Sequence, residues 1–277
     1  MKVLITGANG QLGRELTNQY KDKKGIDLIL AKREDLDISN VKEVYSFVNE
    51  NKPDVIINCA ALTAVDKCES EIDMAYKINT IGPKNLAIAA NEIGAEIVQV
   101  STDYVFDGNL NKSLTEFNEV NPQTIYGRTK LEGEILVKND NPKHYIVRTA
   151  WLYGDGNNFV KTMINLSKTH KTMKVVNDQK GTPTSTVDLA KVIIQLIDDK
   201  NYGLFHCTCK GECTWYEFTK EIFRLKGIDT EVLPCTTDEF PRPAKRPEYS
   251  VLRNYMLELT TGDTTRTWQE AIGEYLK

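Results

Sequence analysis

Near its start the chain carries a compact apolar run, Val3-Leu4-Ile5, between Lys2 and Thr6, followed by a turn spaced with glycines and then by Leu12 and Leu16 at helical spacing. Such a sequence predicts a buried strand, a loop and a helix. The same change of period then repeats. Residues 27–32 read as a strand, 40–51 as a helix, 54–61 as a strand and 74–94 as a helical stretch interrupted by Pro83. Residues 95–102 and 144–154 read as further strands, with a helix over 129–139 between them. Short β-rich runs alternating with amphipathic helices predict parallel strands joined by right-handed crossovers, that is, an α/β fold with a doubly wound, Rossmann-like sheet. Ligands in such sheets bind at the carboxyl ends of the strands.

Beyond residue 154 the pattern changes. Residues 178–199 read as a loop leading into a helix, and 212–277 are richer in proline and charge, with shorter helices. The expected organisation is a dinucleotide-binding domain over 1–154 and, over 155–277, mainly a smaller substrate-binding lobe. The two are interleaved, because a strand near 203–208 is expected to return to the main sheet. No internal repeat or low-complexity tract interrupts this plan.

Composition narrows the classes of function. At 277 residues the chain can bury a full core, and 40% hydrophobic with 27% charged residues suits a soluble globular protein. A formal charge of -4 and a pI near 5.6 argue against a nucleic-acid partner. No segment approaches the roughly 20 apolar residues of a membrane span, and the apolar run at the amino terminus is too short for a signal-peptide core. A cytoplasmic location is the expectation. The cysteines at 59, 68, 207, 209, 213 and 235 are not spaced as a disulfide framework and are read as reduced thiols. In "HCTCKGEC", residues 206–213, one residue separates Cys207 from Cys209, where zinc sites usually leave about two to four. No metal site is expected there; the segment reads as a strand turning at Lys210-Gly211, with Thr214 starting the next helix.

Chemistry enters first at the glycine turn. Gly7, Gly10 and Gly13 follow a strand and open a helix, an arrangement that permits a tight turn, close approach of backbone N–H groups to a pyrophosphate, and close helix-sheet packing. A dinucleotide is therefore expected on Gly7, Asn9, Gly10, Gln11, Leu12 and Gly13. The second strand runs into Ala31-Lys32-Arg33-Glu34, which offers both signs of charge and leaves NADPH and NADH open, Lys32 and Arg33 favouring a 2′-phosphate. Asp37 is expected at the adenine amino group, with Ile38 against the ring.

The stretch "QTIYGRTK", residues 123–130, places Tyr126 and Lys130 one helical turn apart on a shared face. A free phenol titrates near 10, and an ammonium about 4–6 Å away lowers that by roughly 1–3 units, toward the range of a useful proton donor. The strand 95–102 ends at Ser101-Thr102, where a hydroxyl faces the ligand crevice. These residues form an expected catalytic triad for a ketone. Thr102 polarises the carbonyl, Tyr126 supplies the proton, and Lys130 lowers the phenol pKa while binding the nicotinamide ribose.

Together these motifs resemble the extended short-chain dehydrogenase/reductase superfamily and, within it, the dTDP-4-dehydrorhamnose reductase family, over nearly the whole chain. The likeness rests on "GANGQLG" (7–13), "NCAALTAVDKCES" (58–70), "STDYVFDG" (101–108), "YGRTKLEGE" (126–134), "RTAWLYG" (148–154), "NDQKGTPT" (177–184) and "RPEYSVL" (246–252). It implies reduction of the C4 keto group of dTDP-4-dehydro-L-rhamnose to dTDP-L-rhamnose, a precursor of cell-surface polysaccharide, with NADPH or NADH as hydride source. By motif position it implies that Cys59, Ala60, Ala61 and Thr63 line the cofactor, and that Val65, Tyr104 and Trp151 approach the sugar nucleotide. It further implies that the loop containing Gln179 closes the pocket and that Arg246 helps to hold it.

Departures from the pattern are few. Cys59 stands where alanine is common in this group, and Asp103-Tyr104 stands where related dehydratases carry acidic residues. Some members dimerise through a Mg²⁺ held by carboxylates; Glu15 falls at a matching position but is read as an exposed glutamate of the first helix, so a homodimer and a Mg²⁺ both stay open, the metal without further support from the sequence. Two other readings stay open. One is a reductase or epimerase of another nucleotide-linked 4-keto sugar, and the other is a non-catalytic nucleotide-binding regulatory subunit of the same fold.

Overall fold

A computed structural model describes all residues, 1–277. Its centre is a six-stranded sheet built on β1 (Lys2–Thr6), β2 (Asp27–Ala31), β3 (Val55–Asn58), β4 (Glu96–Thr102) and β5 (His144–Thr149), completed by an edge strand at Gly203–His206. The spatial order is β2, β1, β3, β4, β5 and then the edge strand, and every pairing is parallel. The order reverses between β1 and β3, so their carboxyl ends open the crevice in which such sheets receive ligands.

Alternation along each strand feeds two cores. Val3, Ile5, Val55, Ile57, Val98 and Val147 pack on one face against Leu12 and Leu16 of helix α1 (Gln11–Tyr20) and against Leu189 and Ile193 of the helix Thr186–Asp198. Leu4, Ile56, Ile97 and Ile146 face the other way, onto Val44 and Val48 of helix α2 (Val41–Asn51), Leu86, and Val137 of the helix Ile125–Asp140. Strands buried on both faces read as continuous apolar runs. A separate core forms in the carboxyl-terminal part of the chain, where Phe218, Ile222, Trp268 and Ile272 close around Tyr153 and Val160. There Thr214 caps the helix Trp215–Lys226 with a full capping box to Glu217.

Two expectations need correction. Pro83 does not interrupt its helix: a π turn over Lys77–Ile81 precedes it and passes directly into the helix Gly82–Glu92, with Pro83 in the first turn. The wider π turn lets the chain continue past a residue without an N–H. The strand expected over 144–154 ends at Thr149. Trp151 takes a positive φ of 47°, and only Leu152–Tyr153 resumes pairing, now with Thr184–Ser185. A bulky residue in the left-handed region costs of order 1–3 kcal/mol and persists only where its surroundings fix it.

The helix bearing Tyr126 begins at Ile125, earlier than its apolar period suggested, because the Thr124 hydroxyl accepts from Gly127 N at 3.0 Å and caps it. Gly127 is required by contact rather than by φ: a Cβ there would collide with the Tyr104 carbonyl oxygen. The close approach presses the helix onto the end of β4. Gly127→Ala is expected to lower unfolding free energy by about 1–3 kcal/mol through overpacking, measured by denaturant titration.

Candidate active site

One cleft of about 1500 Å³ opens at the carboxyl ends of β1, β3 and β4 and is walled on its far side by the carboxyl-terminal lobe. Thr102, Tyr126 and Lys130 all line it, as do Gly10, Gln11, Leu12, Gly13, Cys59, Ala60, Ala61 and Thr63. Val65, Tyr104, Trp151, Gln179 and Arg246 line it as well. Four expected residues stand apart. Gly7 lies behind the wall, and Asn9 is exposed at the tip of the turn. Asp37 turns back on its own chain, accepting from Ser39 N at 2.9 Å and Ser39 Oγ at 2.8 Å, and Ile38 is buried in the core. Neither meets the cleft, because the turn before α2 folds their side chains away from it.

The glycine turn fits a dinucleotide on local grounds. Gly7 has φ +62° and lies so close to the next crossover that a Cβ would sit 2.8 Å from Ala60 N. Gly10 is the N-cap of α1 and supplies no side-chain cap, so the first N–H groups of the helix are left for a ligand. Lys32 and Arg33 are exposed just past the end of β2. The Gln11 side chain, expected at the cofactor, instead ties the turn to the far lobe: its Oε1 accepts from Gly154 N at 2.9 Å and from Asn158 Nδ2 at 3.1 Å.

Lys130 is held by the sheet rather than by the phenol. It is 3% exposed, and its Nζ donates to the Val100 carbonyl at 2.5 Å. That carbonyl also accepts from Gln99 Nε2 at 2.9 Å, and Gln99 Oε1 accepts from Asn58 Nδ2 at 2.7 Å. Thr6 Oγ1 completes the row with a 2.6 Å bond to Asn58 Oδ1, so a polar line crosses β1, β3 and β4 beneath the cleft. Burial pulls the Lys130 ammonium down to about 8, opposed by the charge of Glu134 one turn further along the helix and by Cys59. Glu134 itself pairs with Arg148 at 2.7 Å and accepts from Ser101 Oγ at 2.5 Å. Burial likewise pushes the Cys59 thiol up to about 12, against the pull of Lys130.

The expected tuning of Tyr126 by Lys130 is not what this geometry gives. Burial raises the phenol above its ordinary value; a hydrogen bond with Thr102 opposes this, while Asp103, Tyr104 and Cys68 add to the rise. The ammonium is committed to Val100, so Tyr126 remains a protonated donor throughout the neutral range. Its ring meets Tyr104 edge-on at 5.5 Å between centroids, and the Arg246 guanidinium lies 5.9 Å over the Tyr104 ring. Arg246 Nη2 pairs with Asp66 at 3.0 Å.

Several residues of the wall escaped the sequence. Trp215 stacks on Trp151 at 3.4 Å between centroids and 8° between planes, which fixes the left-handed Trp151. Asp66 anchors Arg246 from the start of the helix Val65–Ser70. Asn58, Gln99, Glu134 and Arg148 read as ordinary polar residues inside strands and a helix; the one available signal was polarity at positions where the period called for apolar side chains. Glu15 is half-buried rather than exposed and accepts from Gln19 Nε2 at 2.8 Å, and no group of three metal-ligating side chains gathers anywhere in the chain.

The comparisons with known proteins agree with this fold. Residues 1–277 match the family described as the RmlD substrate binding domain. The chain belongs to that family. A crystal structure of a dTDP-4-dehydrorhamnose reductase from Clostridium acetobutylicum is 70% identical and superposes with a TM-score of 0.99, covering 100% of this chain and 98% of that one. The dTDP-4-dehydrorhamnose reductase of Bacillus anthracis, solved in complex with NADP, is 43% identical with a TM-score of 0.96 over 99% of this chain and 98% of the other. The spore coat polysaccharide biosynthesis protein SpsK of Bacillus subtilis is 42% identical over 100% of this chain and 97% of its own length.

The buried ammonium makes a stability test. A folded pKa near 8 against an ordinary value of about 10.4 means that the unfolded chain binds more protons between those values, so stability rises with pH across that window. Below it the full penalty of the buried charge applies. Lys130→Met is therefore expected to raise the unfolding free energy at pH 7 by about 1–3 kcal/mol while destroying activity, measured by paired denaturation and turnover assays.

Proposed function

We propose that this protein reduces the C4 keto group of dTDP-4-dehydro-L-rhamnose to give dTDP-L-rhamnose. The observation that carries the reading is the meeting of Thr102, Tyr126 and Lys130 in the same cleft as the glycine turn. The full-length likeness to reductases of that name supports the substrate. NADP in the 43% identical neighbour, together with the exposed Lys32 and Arg33, favours NADPH over NADH.

Bound at the glycine turn, the reduced nicotinamide supplies the hydride. The protein's own residues do the rest. Gly10 and the free N–H groups opening α1 receive the pyrophosphate, and the backbone of residues 59–61 forms the adjoining wall. Thr102 and Tyr126, both at the mouth of β4, place hydroxyls where negative charge develops on the ketone oxygen, and Tyr126 releases its proton to that oxygen. Lys130, fixed on Val100, holds a positive charge in the wall of the cleft that receives the cofactor. Stacked Trp151 and Trp215 offer a flat apolar surface to the sugar nucleotide, with the Arg246–Asp66 pair and Gln179 at its edge.

Tyr126→Phe is expected to lower kcat by about 10²–10⁴-fold with dTDP-4-dehydro-L-rhamnose while leaving NADPH affinity within a few-fold, measured as NADPH oxidation and by fluorescence titration. Wild-type protein that oxidises neither NADPH nor NADH with any dTDP-linked 4-keto sugar would refute the reading. A non-catalytic nucleotide-binding subunit would bind cofactor and be indifferent to the substitution.

A further inference from the structure

Asp103 is a carboxyl with little reason to be where it is. It follows Thr102 directly, is 2% exposed, and no cation offsets its burial. Its Oδ1 lies 2.9 Å from Thr102 Oγ1, while Oδ2 is buried without a formed hydrogen bond. Ser250, 1% exposed and on the segment that closes over this turn, sits near enough to favour the charged carboxylate, yet its hydroxyl is also left without a formed bond. Tyr104 N donates to Thr102 Oγ1 at 3.2 Å.

Counting donors decides what Thr102 can do. A hydroxyl has one proton and two acceptor sites. If Asp103 is ionised it can only accept, so it takes the Thr102 proton and leaves nothing for a ketone. If Asp103 carries a proton on Oδ1 it donates to Thr102 Oγ1. That bond and the Tyr104 N–H fill both acceptor sites, and the Thr102 proton is left for the side that faces Tyr126 and the cleft. In the same state Oδ2 is a carbonyl oxygen able to accept from Ser250, so both orphan atoms are satisfied by one rearrangement.

We propose that Asp103 acts as a neutral carboxylic acid that turns the Thr102 hydroxyl proton toward the substrate oxygen, with Ser250 placed to fix the orientation of its other oxygen. Asp103 is a positioning residue, acting through Thr102, and this role rests on the ketone-reductase reading above. Its surroundings favour the neutral form. The titratable groups facing it are the phenols of Tyr104 on its own turn and Tyr126 on the helix Ile125–Asp140, both held protonated by burial, so neither supplies a charge that would stabilise a carboxylate. Arg246, from the overlying segment, lies across the Tyr104 ring and is paired with Asp66, and Lys130 is bonded to Val100. Burial already lifts the carboxyl to about 6, against the hydrogen bonds from Ser250 and Thr102 and from the backbone N–H groups of Asp103 and Tyr104. Filling the cleft with two diphosphate-bearing ligands removes water and adds negative charge, and both effects raise it further.

The test is the pH profile of kcat, which reports groups in the loaded complex, for wild type, Asp103→Asn, Asp103→Ala and Ser250→Ala. Wild-type kcat should fall as pH rises through the Asp103 ionisation. Asp103→Asn, whose amide donates as the neutral acid does, should keep turnover within about 3-fold of the wild-type acid plateau and lose that fall, whereas Asp103→Ala should lose about 10-fold or more in kcat at every pH. Ser250→Ala removes a bond that favours the carboxylate and should move the fall to higher pH. Carboxyl ¹³C NMR of aspartate-labelled protein, with Asp103→Asn to assign the signal, should show one buried carboxyl titrating well above the others and shifting upward in Ser250→Ala. A wild-type profile retained in Asp103→Asn, an Asn variant as impaired as the Ala variant, or an Asp103 signal titrating at an ordinary value would overturn the proposal. Absence of wild-type turnover on every ketone would instead overturn the functional reading, and the NMR titration would still judge the carboxyl.

Discussion

The structure is organised around a lysine that has to be buried. An ammonium in the interior is costly unless its hydrogen bonds are made and opposite charge is near. Lys130 meets the first condition through the Val100 carbonyl and the second through Glu134. Glu134 in turn cannot be buried alone, which brings Arg148 from the neighbouring strand into a bidentate pair and Ser101 onto the same carboxylate. The Thr6–Asn58–Gln99 row stiffens the Val100 carbonyl from the other side. Much of the polar interior of the sheet thus exists to hold one positive charge at the carboxyl end of β4.

On the proposed reading, that arrangement also divides the work of Thr102, Tyr126 and Lys130. Lys130 is bonded to the Val100 carbonyl of the sheet, and no Lys130 charge acts on the Tyr126 phenol. The phenol stays protonated and depends on Thr102 and on the reaction itself to draw its proton away. Thr102 is the hinge of the system. Its oxygen is shared among Asp103, Tyr104 N–H and the cleft, and whichever group holds the proton on the Asp103 side decides whether the hydroxyl is a donor or an acceptor toward substrate.

The fold was largely legible because both sides of the sheet are covered: uninterrupted apolar strands such as Val55–Asn58 and helices with a clear apolar stripe such as Gln11–Tyr20 follow from burial alone. The positions of Thr102, Tyr126 and Lys130 were legible for a related reason, since strand end and helical turn put all three at one end of the sheet. What escaped were relations across the chain. Nothing local accounts for Gly127, whose place is set by contact with the backbone of Tyr104 across the chain. Pro83 looked like a break because a π turn leaves no periodic signature. Trp151 looked like one more strand residue, and only the distant Trp215 explains its backbone. Asp37 and Ile38 were placed at the adenine by their position just before α2, and that position alone says nothing of how the chain folds between β2 and α2.

The cleft lies between the sheet and the carboxyl-terminal part of the chain, and two of the many polar contacts between them start from residues that line it. Gln11 joins the glycine turn to Gly154 and Asn158, and Asp66 joins the helix Val65–Ser70 to Ala244 and Arg246. Both ties spring from residues that line the cleft. The segment that carries Arg246 also carries Ser250, so on the proposed reading the wall beside the sugar nucleotide and the hydroxyl that faces Asp103 belong to one piece of chain.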